Sequence, residues 1–449
     1  MRFYARLAFI VLIGFVGIIL GSMSSKTIMA VAQEKYSELQ TFSKVLNLVQ
    51  QYYVEEVQVS KLIQGAIKGM LNELDPHTSF MSADTFKEFK NETSGEFAGL
   101  GVEISVQDEI LTVISPIEDT PAFKAGVQAG DKIVSIDGKS TKGLNLVEAA
   151  QLIKGKIGTI VKLNIFRKGF EKPKEFPVKR SIIKIKSVKY TDLEDGYAYV
   201  KLTSFIEKSA DDFGKAVSNH AKKYKGTKGL IIDLRNNPGG LLTQAVGIAD
   251  LFLSEGVIVS TIGRNKKEKE VISAKKDGTF PDFPIIVLQN EASASASEIL
   301  AGALRDNKRA VIMGQRSFGK GSVQSVIELG NGSGLKLTVA RYYTPSGVSI
   351  QASGIVPDIT LENVNNEAYE KAIIKTNSRR ESDIEGHLEG DLEKKMKEAK
   401  DFNPSDVFWT KNELPSEGKT SKRNELLRKD FQLLQAYNYL KAWRVFKNR

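Results

Sequence analysis

Three serines lie two residues apart in Asn290–Leu300, NEASASASEIL. The stretch follows an apolar run, Phe283–Gln289, and leads into a segment with helical periodicity. A serine between a buried strand and a helix lies near backbone N–H groups that favour negative charge, so it can be an N-cap or a nucleophile. One cap is enough, and side chains two apart do not share a helix face. The residues alone therefore leave Ser293, Ser295 and Ser297 as alternative nucleophiles.

A serine nucleophile needs a base, and the three histidines of the chain are poor candidates. His77 lies in the turn-like DPHTSF, His220 in a lysine-rich stretch and His387 in a charged region, so we interpret all three as surface or turn residues. Lys320, by contrast, lies between two glycines in RSFGKGSVQS. Glycine on both sides lets the backbone bend sharply or approach another chain closely. Because serine and lysine form a known nucleophile–base pair, Lys320 is the candidate base, with Gln324 following at a strand position.

The stretch Asp233–Leu242, DLRNNPGGLL, joins a predicted buried strand to a predicted helix. Its Pro-Gly-Gly can turn freely and present N–H groups to an oxyanion. A phosphate cradle is the alternative interpretation. The stretch lacks, however, the Lys-Ser/Thr of a P-loop and the third glycine of a dinucleotide-binding fingerprint.

Short apolar runs alternate with helical periods in the second half of the chain, which predicts an α/β core over residues 180–361. The runs are Gly229–Leu234, Pro284–Leu288 and Arg309–Met313, and the helical periods are Leu241–Leu253 and Ser295–Arg305.

A β-rich module is predicted over residues 95–179. Its strands are Gly101–Val106, Ile110–Ile114, Lys132–Ile136 and Ile160–Phe166, and its short helix is Leu146–Ile153. Residues 33–94 before it are predicted to be helical, with an interruption at DPHTSF. The last region, residues 362–449, is highly charged and ends in a predicted helix, Asn424–Val445.

The N-terminus predicts export. Two arginines precede the apolar run Leu7–Gly21, which spans about 22 Å as a helix, short of the ~30 Å hydrocarbon core unless its flanks are included. Ala30-Val31-Ala32 follows as a cleavage site. We therefore expect residues 1–32 to be a signal peptide or a membrane anchor. Since the basic end stays inside, the rest of the chain is expected to be periplasmic or extracytoplasmic.

Composition excludes some classes of site. The chain has 449 residues and no cysteine, so disulfides, thiol nucleophiles and cysteine-bound metals are ruled out. The net charge of +10 could indicate nucleic-acid binding, but the lysines are dispersed among acids and form no basic helix. A solvated basic surface is the preferred interpretation.

Several stretches, in this order and spacing, resemble the C-terminal processing (tail-specific) serine peptidase family. They are DPHTSF, SPIEDTPAFKAGVQAGDKIVSIDG, GYAYVKLTSF, DLRNNPGG, SASASEILAGALRDNKRAVIMGQRSFGKGSVQ, GIVPDI and DFQLLQAYNYLK. The resemblance implies an α/β fold with a crotonase-like protease core, an inserted PDZ domain, and helical N- and C-terminal segments. It also implies Ser295 as nucleophile, Lys320 as base and Gln324 as the residue that orients the lysine, and it implies that Ala296 and Gly240 donate to the oxyanion.

For the PDZ domain, the resemblance implies that Leu100, Gly101 and Val102 bind the terminal carboxylate of a peptide. Lys154 follows the PDZ helix, where many relatives have an arginine that helps the occupied domain activate the protease. Lysine keeps the charge but loses the bidentate fork, so the switching mechanism is expected to differ here.

The sequence thus predicts an exported serine endopeptidase that recognises substrate C-termini. Its partners are proteins or peptides with free C-termini, and an adaptor or a second copy of the chain is a further possibility. No metal or organic cofactor is implied, and no nucleic-acid partner is expected. The alternative is a PDZ scaffold of the cell envelope without proteolytic activity, which a casein or tail-peptide assay would distinguish.

Overall fold

A computed structural model describes residues 37–107, 110–117, 119–362, 364 and 422–447. The predicted signal peptide or anchor, residues 1–32, lies outside these residues, as do His387 and most of the charged region. Among the helices that the structure describes, none is both long enough and apolar enough to span a membrane. The described residues form two compact units. One runs to Phe80 and includes Leu335–Leu337, and the other comprises Met81–Gly334 and the residues from Thr338 onward.

The first unit consists of two helices and the turn that follows them. Helix α1 covers residues 37–52 and helix α2 covers Val59–Asn72. In the turn, the carboxylate of Asp75 accepts hydrogen bonds from the N–H groups of His77 and Thr78 and from the Thr78 hydroxyl. An aspartate that bonds the backbone two and three residues ahead stabilises a turn, which is why the helical region is interrupted at DPHTSF.

The second unit begins with a β-rich module that interrupts the chain between two short strands. Strand β1 (Ser79–Met81) and helix α3 (Ala83–Ser94) precede the module. Its elements are β2 (Glu96–Gly99), β3 (Val102–Gln107), β4 (Ile110–Pro116), α4 (Pro121–Lys124), β5 (Lys132–Ile136), β6 (Lys139–Ser140), α5 (Leu146–Ile153), β7 (Ile160–Phe166), β8 (Lys174–Lys179) and β9 (Ser181–Lys184). An antiparallel sheet of order β3-β4-β5-β7-β8 surrounds its own apolar core. Strands β2 and β9 pair with each other, so the segments that enter and leave the module run side by side.

The α/β core follows. Its elements are β10 (Val188–Asp192), β11 (Tyr197–Leu202), α6 (Ser209–Tyr224), β12 (Gly229–Asp233), α7 (Leu242–Asp250), β13 (Val257–Gly263), β14 (Lys269–Ser273), β15 (Ile285–Gln289), α8 (Ala296–Asp306), β16 (Val311–Gly314), β17 (Ser322–Glu328), β18 (Gly334–Tyr343) and β19 (Ile359–Thr360). The main sheet has the order β10-β11-β12-β15-β16-β19 and is parallel except at β10. Parallel strands β12 and β15 are neighbours, so the loops that follow them emerge at the same edge of the sheet.

The two faces of this sheet pack against different helices. Leu230 and Ile232 belong to an apolar cluster with α6, α7 and α8, whereas Ile231 between them belongs to a second cluster. This alternation is the two-residue period of a strand buried on both faces.

The second face is covered by the C-terminal helices α9 (Lys422–Lys429) and α10 (Phe431–Lys447). The sequence predicts one helix here, but the structure has two, separated at Asp430. The Asp430 carboxylate accepts the N–H of Leu433 and so caps the start of α10, which stabilises a new helix N-terminus at this point.

The prediction that His220 faces solvent is wrong. On α6, His220 follows Phe213 and Val217 at helical spacing, and all three side chains are buried. His220 is 1% exposed, and its Nδ1 lies 2.8 Å from the hydroxyl of Tyr190. It is therefore a packed histidine of the helix–sheet interface.

Candidate active site

The three serines of SASASE differ sharply in exposure. Ser293 is 1% exposed and Ser297 is 0% exposed, whereas Ser295 between them is partly exposed. The Ser293 hydroxyl donates to the carbonyl of Leu234 at 2.8 Å, and the Ser297 hydroxyl donates to the carbonyl of Asn237 at 2.9 Å. Both flanking hydroxyls are thus used to join the serine loop to the loop after β12, which leaves Ser295 as the accessible hydroxyl.

The backbone at Ser295 has an uncommon conformation. Its φ is 55° and its ψ is −113°, outside the helical and extended regions that serine ordinarily adopts. Ser295 comes immediately before α8, so its side chain lies beside the N-terminus of that helix, where the helix dipole favours developing negative charge. Strained backbone of this kind is concentrated at functional sites.

Glu298 holds this conformation in place. Its carboxyl group is fully buried and accepts four hydrogen bonds. Oε2 accepts hydrogen bonds from the N–H groups of Ser295 and Lys320, both at 2.8 Å. Oε1 accepts hydrogen bonds from the Ser317 hydroxyl and the Gly319 N–H, both at 2.6 Å. One carboxyl group therefore fixes the loop of the candidate nucleophile relative to the loop of the candidate base.

The glycines on either side of Lys320 permit a close approach of another part of the chain, as the sequence predicts. The Gly319 carbonyl accepts the N–H of Ala352, and Gly319 has a φ of 92°. A side chain at Gly321 would collide with the backbone N of Gln351. Lys320 itself is partly exposed. Its loop is thus held from both sides while its side chain remains accessible.

Gln324 lies on β17, half-buried, four residues after Lys320. Its Nε2 donates to the hydroxyl of Ser322 at 2.8 Å and to the hydroxyl of Thr338 at 3.3 Å. With the amide nitrogen used in this way, the amide oxygen is the atom available to accept a hydrogen bond from a lysine amine.

The loop after β12 approaches Ser295 at Gly239. A Cβ added to Gly239 would lie 2.9 Å from Ser295 Cβ, 2.7 Å from the Ala294 carbonyl oxygen and 3.0 Å from the Ala296 nitrogen. No side chain fits there. Gly239 also has a φ of 102°, which only glycine adopts readily. Glycine at position 239 is therefore required for the loop to lie against the serine.

Two backbone N–H groups are suited to bind an oxyanion. Ala296 is the first residue of α8, so its N–H has no acceptor within the helix. The N–H of Gly239 is used, since it donates to Oδ1 of Asn237 at 2.9 Å. Gly240 follows, with a φ of 140°, and is exposed. Its two neighbours are fixed by backbone hydrogen bonds to Phe205, whose N–H donates to the Gly239 carbonyl and whose carbonyl accepts the N–H of Leu241. This arrangement favours Gly240 over Gly239 as the second donor.

Three asparagines, Asn236, Asn237 and Asn290, hold the β12 loop and the serine loop together. Asn236 and Asn290 bond each other, with Asn236 N–H and Asn290 Nδ2 as donors at 2.9 and 2.8 Å. The side chain of Asn237 is buried, and its Nδ2 donates to the carbonyl of Leu202. The backbone carbonyl of Asn237 accepts the N–H of Ala294. The backbone that carries the candidate oxyanion donors is thus held in place by hydrogen bonds within the protein.

In the β-rich module, β3 lies at the edge of the sheet, and in the described residues it pairs only with β4. Gly101, just before it, has a φ of 75°, and a side chain there would collide with Thr120. The Leu100 side chain is buried in the module core, so only its backbone is available to a ligand. Helix α5 packs beside β3. An unpaired strand edge beside a helix is a groove that an extended peptide can fill.

Lys154 lies at the end of α5. Its Nζ is 3.5 Å from Oε1 of Glu92 on α3, in an exposed pair. The buried cation at this end of the helix is Arg180, which donates to the carbonyls of Ile153 and Leu152. Arg180 therefore caps the helix, and Lys154 links the module to the helix that precedes it.

The sequence interpretation did not identify Glu298 or Asn237. The spacing of Ser295 and Glu298 matches a capping box, a signal that was present in the sequence. The bonds from Glu298 to residues 317, 319 and 320 depend on the fold, and no local pattern indicates them.

Three parts of the chain match known families. Residues 196–361 match peptidase family S41, residues 98–179 match the PDZ domain, and residues 20–85 match the activating protease CtpB N-terminal domain.

Full-length relatives are similar over most of the chain. The carboxy-terminal-processing protease of Bartonella bacilliformis is 46% identical over 363 residues, which cover 80% of this chain and 83% of the relative. The carboxy-terminal processing protease CtpA of Bacillus subtilis is 37% identical over 346 residues, which cover 77% of this chain and 72% of the relative. Among solved structures, a photosystem II D1 C-terminal processing protease is 31% identical, with a TM-score of 0.46, and the match covers 73% of this chain and 93% of that one.

Proposed function

Because the chain belongs to the carboxy-terminal-processing proteases of peptidase family S41, we propose that it cleaves exported proteins with Ser295 as nucleophile and Lys320 as base, after its PDZ domain has bound their C-termini. The observation that carries this proposal is the difference among the three serines. The hydroxyls of Ser293 and Ser297 are buried and bonded, whereas Ser295 is accessible and shares an acceptor oxygen with Lys320.

In the first half of the reaction, Ser295 Oγ attacks the carbonyl carbon of the scissile bond. Neutral Lys320 takes the hydroxyl proton as the bond forms. The carbonyl oxygen becomes an oxyanion and is stabilised by the N–H groups of Ala296 and Gly240, which are directed by the start of α8 and by the β12 loop. The carbon–nitrogen bond then breaks, and the lysine proton goes to the leaving amine. The product is an acyl ester on Ser295.

In the second half, a water molecule attacks the ester and Lys320 takes one of its protons. The ester bond breaks, the proton on Lys320 goes to Ser295 Oγ, and the new carboxylic acid leaves and releases its remaining proton to water. Lysine can do this work only as a neutral amine, so a neighbour that orients it without a negative charge is appropriate. Gln324 has these properties, since its amide oxygen can accept a hydrogen bond and carries no charge.

For recognition, an extended substrate tail would add to the free edge of β3 and place its carboxylate at the backbone of Leu100, Gly101 and Val102. The edge position of β3 and the left-handed backbone at Gly101 support this mode of binding. Main-chain bonds to the strand supply affinity, and the carboxylate selects free C-termini.

The cellular setting is also part of the proposal. The basic, apolar N-terminus supports export, with residues 1–32 as a signal peptide or membrane anchor and the catalytic part in the periplasm or another extracytoplasmic space. An adaptor protein or a second copy of the chain are further proposed partners. Exposed apolar side chains on α10, at Tyr439, Trp443 and Phe446, support such contacts.

The proposal is tested by replacing each serine with alanine and following cleavage of a peptide with a free apolar C-terminus. Ser295→Ala should abolish cleavage and leave the thermal midpoint nearly unchanged. Ser293→Ala and Ser297→Ala should cost about 0.5–1.5 kcal/mol of stability, since each removes a buried hydrogen bond between the two loops, but the folded protein should remain active. Cleavage that survives Ser295→Ala would refute the mechanism.

A further inference from the structure

Arg235 lies between two carboxylates from distant parts of the chain. Its Nε and Nη2 donate to Asp233 at 2.9 and 2.7 Å. Its Nη1 and Nη2 donate to Asp430 at 3.0 and 2.6 Å. Both pairs are bidentate, the geometry in which arginine binds carboxylates most specifically. Asp233 ends β12, and Asp430 caps the start of the C-terminal helix α10.

The network is well shielded from water. The side chains of Asp233, Arg235 and Asp430 are 0%, 13% and 21% exposed. Burial alone would raise the pKa of Asp233, but the hydrogen bonds and charge of Arg235 outweigh it, so the pKa lies below its ordinary range. Burial likewise would lower the pKa of Arg235, and the bonds to Asp233 and Asp430 raise it instead. Each charge in this network therefore depends on its partner, and removal of one leaves another buried and poorly compensated.

The C-terminal side of the network is rigid. Helix α10 buries Leu433, Ala436, Tyr437 and Leu440 against the main sheet. Its second residue, Gln432, accepts a hydrogen bond from Arg235 Nη1 at 3.0 Å. The helix thus presents Asp430 and Gln432 at a fixed place below the edge of the sheet where β12 ends.

The other side of the network is the root of the loop that lies against Ser295. The N–H of Arg235 donates to Asp233 at 2.9 Å, so both its backbone and its side chain are fixed. Asn236 and Asn237 come directly after it and join the serine loop, and Gly239 contacts Ser295 two residues later. A shift of Arg235 is therefore transmitted over a few bonds to the oxyanion donor Gly240.

We propose that the Arg235–Asp430 ion pair makes the C-terminal helix part of the catalytic apparatus, because it sets the position of the loop that carries the oxyanion donor. Arg235 and Asp430 are positioning residues. The inference rests on the proposed function, and it predicts that catalysis responds to the docking of α10 at this one contact rather than to the stability of the helix in general.

The test compares three variants of the full chain at a temperature where circular dichroism shows all of them folded. Asp430→Asn removes the charge and keeps the helix cap, since asparagine also caps well. Leu440→Ala weakens the packing of the same helix, and Arg423→Gln removes another ion pair of the C-terminal segment, to Glu194 and Asp195. We measure kcat, KM, thermal midpoint and amide hydrogen exchange of residues 234–241.

Asp430→Asn should lower kcat about tenfold or more, leave KM within about twofold and accelerate exchange in the loop. Leu440→Ala and Arg423→Gln should keep kcat within about twofold although their thermal midpoints fall. Arg235→Lys should behave like Asp430→Asn, because lysine keeps the charge without the fork. Wild-type kcat in Asp430→Asn, or losses of kcat that follow the thermal midpoint in all variants, would overturn the inference while Ser295-dependent cleavage remained. Cleavage independent of Ser295 would instead overturn the proposed function and this inference with it.

Discussion

The backbone N–H groups of Ser295 and Lys320 donate to the same atom, Oε2 of Glu298, and both distances are 2.8 Å. The two residues are separated along the chain by helix α8 and strand β16, yet one buried oxygen sets their relative position. The proposed Ser295–Lys320 dyad does not depend on the flexible lysine side chain alone for its geometry, because the backbone at both residues is fixed.

Replacing Glu298 by glutamine should therefore damage catalysis more than stability. A glutamine side chain has one acceptor oxygen, so two of the four donors would face its NH₂ group. We expect kcat to fall about 100-fold, since misplacement by about 1 Å can cost that much. Glu291→Gln, at an exposed position in the same loop, is the matched control and should keep wild-type kcat. Equal kcat in the two variants would show that Glu298 does not position the dyad.

Gly239→Ala should abolish activity through contact with Ser295, the proposed nucleophile. The added Cβ would lie 2.9 Å from Ser295 Cβ, and the φ of 102° adds strain. The control is Gly278→Ala, where φ is 81° but no atom lies within 4 Å of the added Cβ. Both variants bear backbone strain, and only the first should lose kcat. Measured activity in folded Gly239→Ala comparable to the control would contradict the close packing at Ser295.

The pH dependence of kcat/KM should rise through the neutral range into the alkaline, because lysine accepts a proton only as the neutral amine. Lys320→Arg should be inactive across the whole profile, since guanidinium does not give up its proton. His77→Gln and His220→Gln should retain the same profile in the folded protein. A bell-shaped profile lost with one histidine would require a different base.

Tail recognition should depend on a free carboxylate. A peptide with an apolar C-terminus should have a lower KM than its C-terminal amide, and the difference should disappear in Gly101→Ala, where the side chain would collide with Thr120. The kcat for the amide should be unchanged in that variant, because Gly101 belongs to the β-rich module, which has its own apolar core. Equal KM for acid and amide in the wild type would remove the tail-binding role.

Much of the architecture follows from local sequence signals. The buried runs became β12, β15 and β16, the alternating runs became the strands of the β-rich module, and the α/β protease core with an inserted PDZ domain is confirmed. The strands and helices depend on strand and helix periods, which are properties of neighbouring residues, whereas the protease and PDZ assignments came from the resemblance of the motifs.

The ranking of the three serines does not follow from local signals. Residues at i and i+2 point in different directions, but which direction is solvent depends on where the β12 loop lies. The same limit explains His220, since its lysine-rich neighbours obscured the apolar spacing with Phe213 and Val217. The contacts of Glu298 and Asp430 join residues that are distant along the chain, and only the fold brings them together.

The most direct test of the central claim is to locate the covalent intermediate. The enzyme is mixed with a tail-bearing peptide, quenched in acid within the first turnover, digested and examined by mass spectrometry. We predict an acyl adduct on the peptide that contains all three serines, with fragmentation placing it on Ser295, and no adduct in Ser295→Ala. An adduct on Ser293 or Ser297, or the same adduct in Ser295→Ala, would contradict the account.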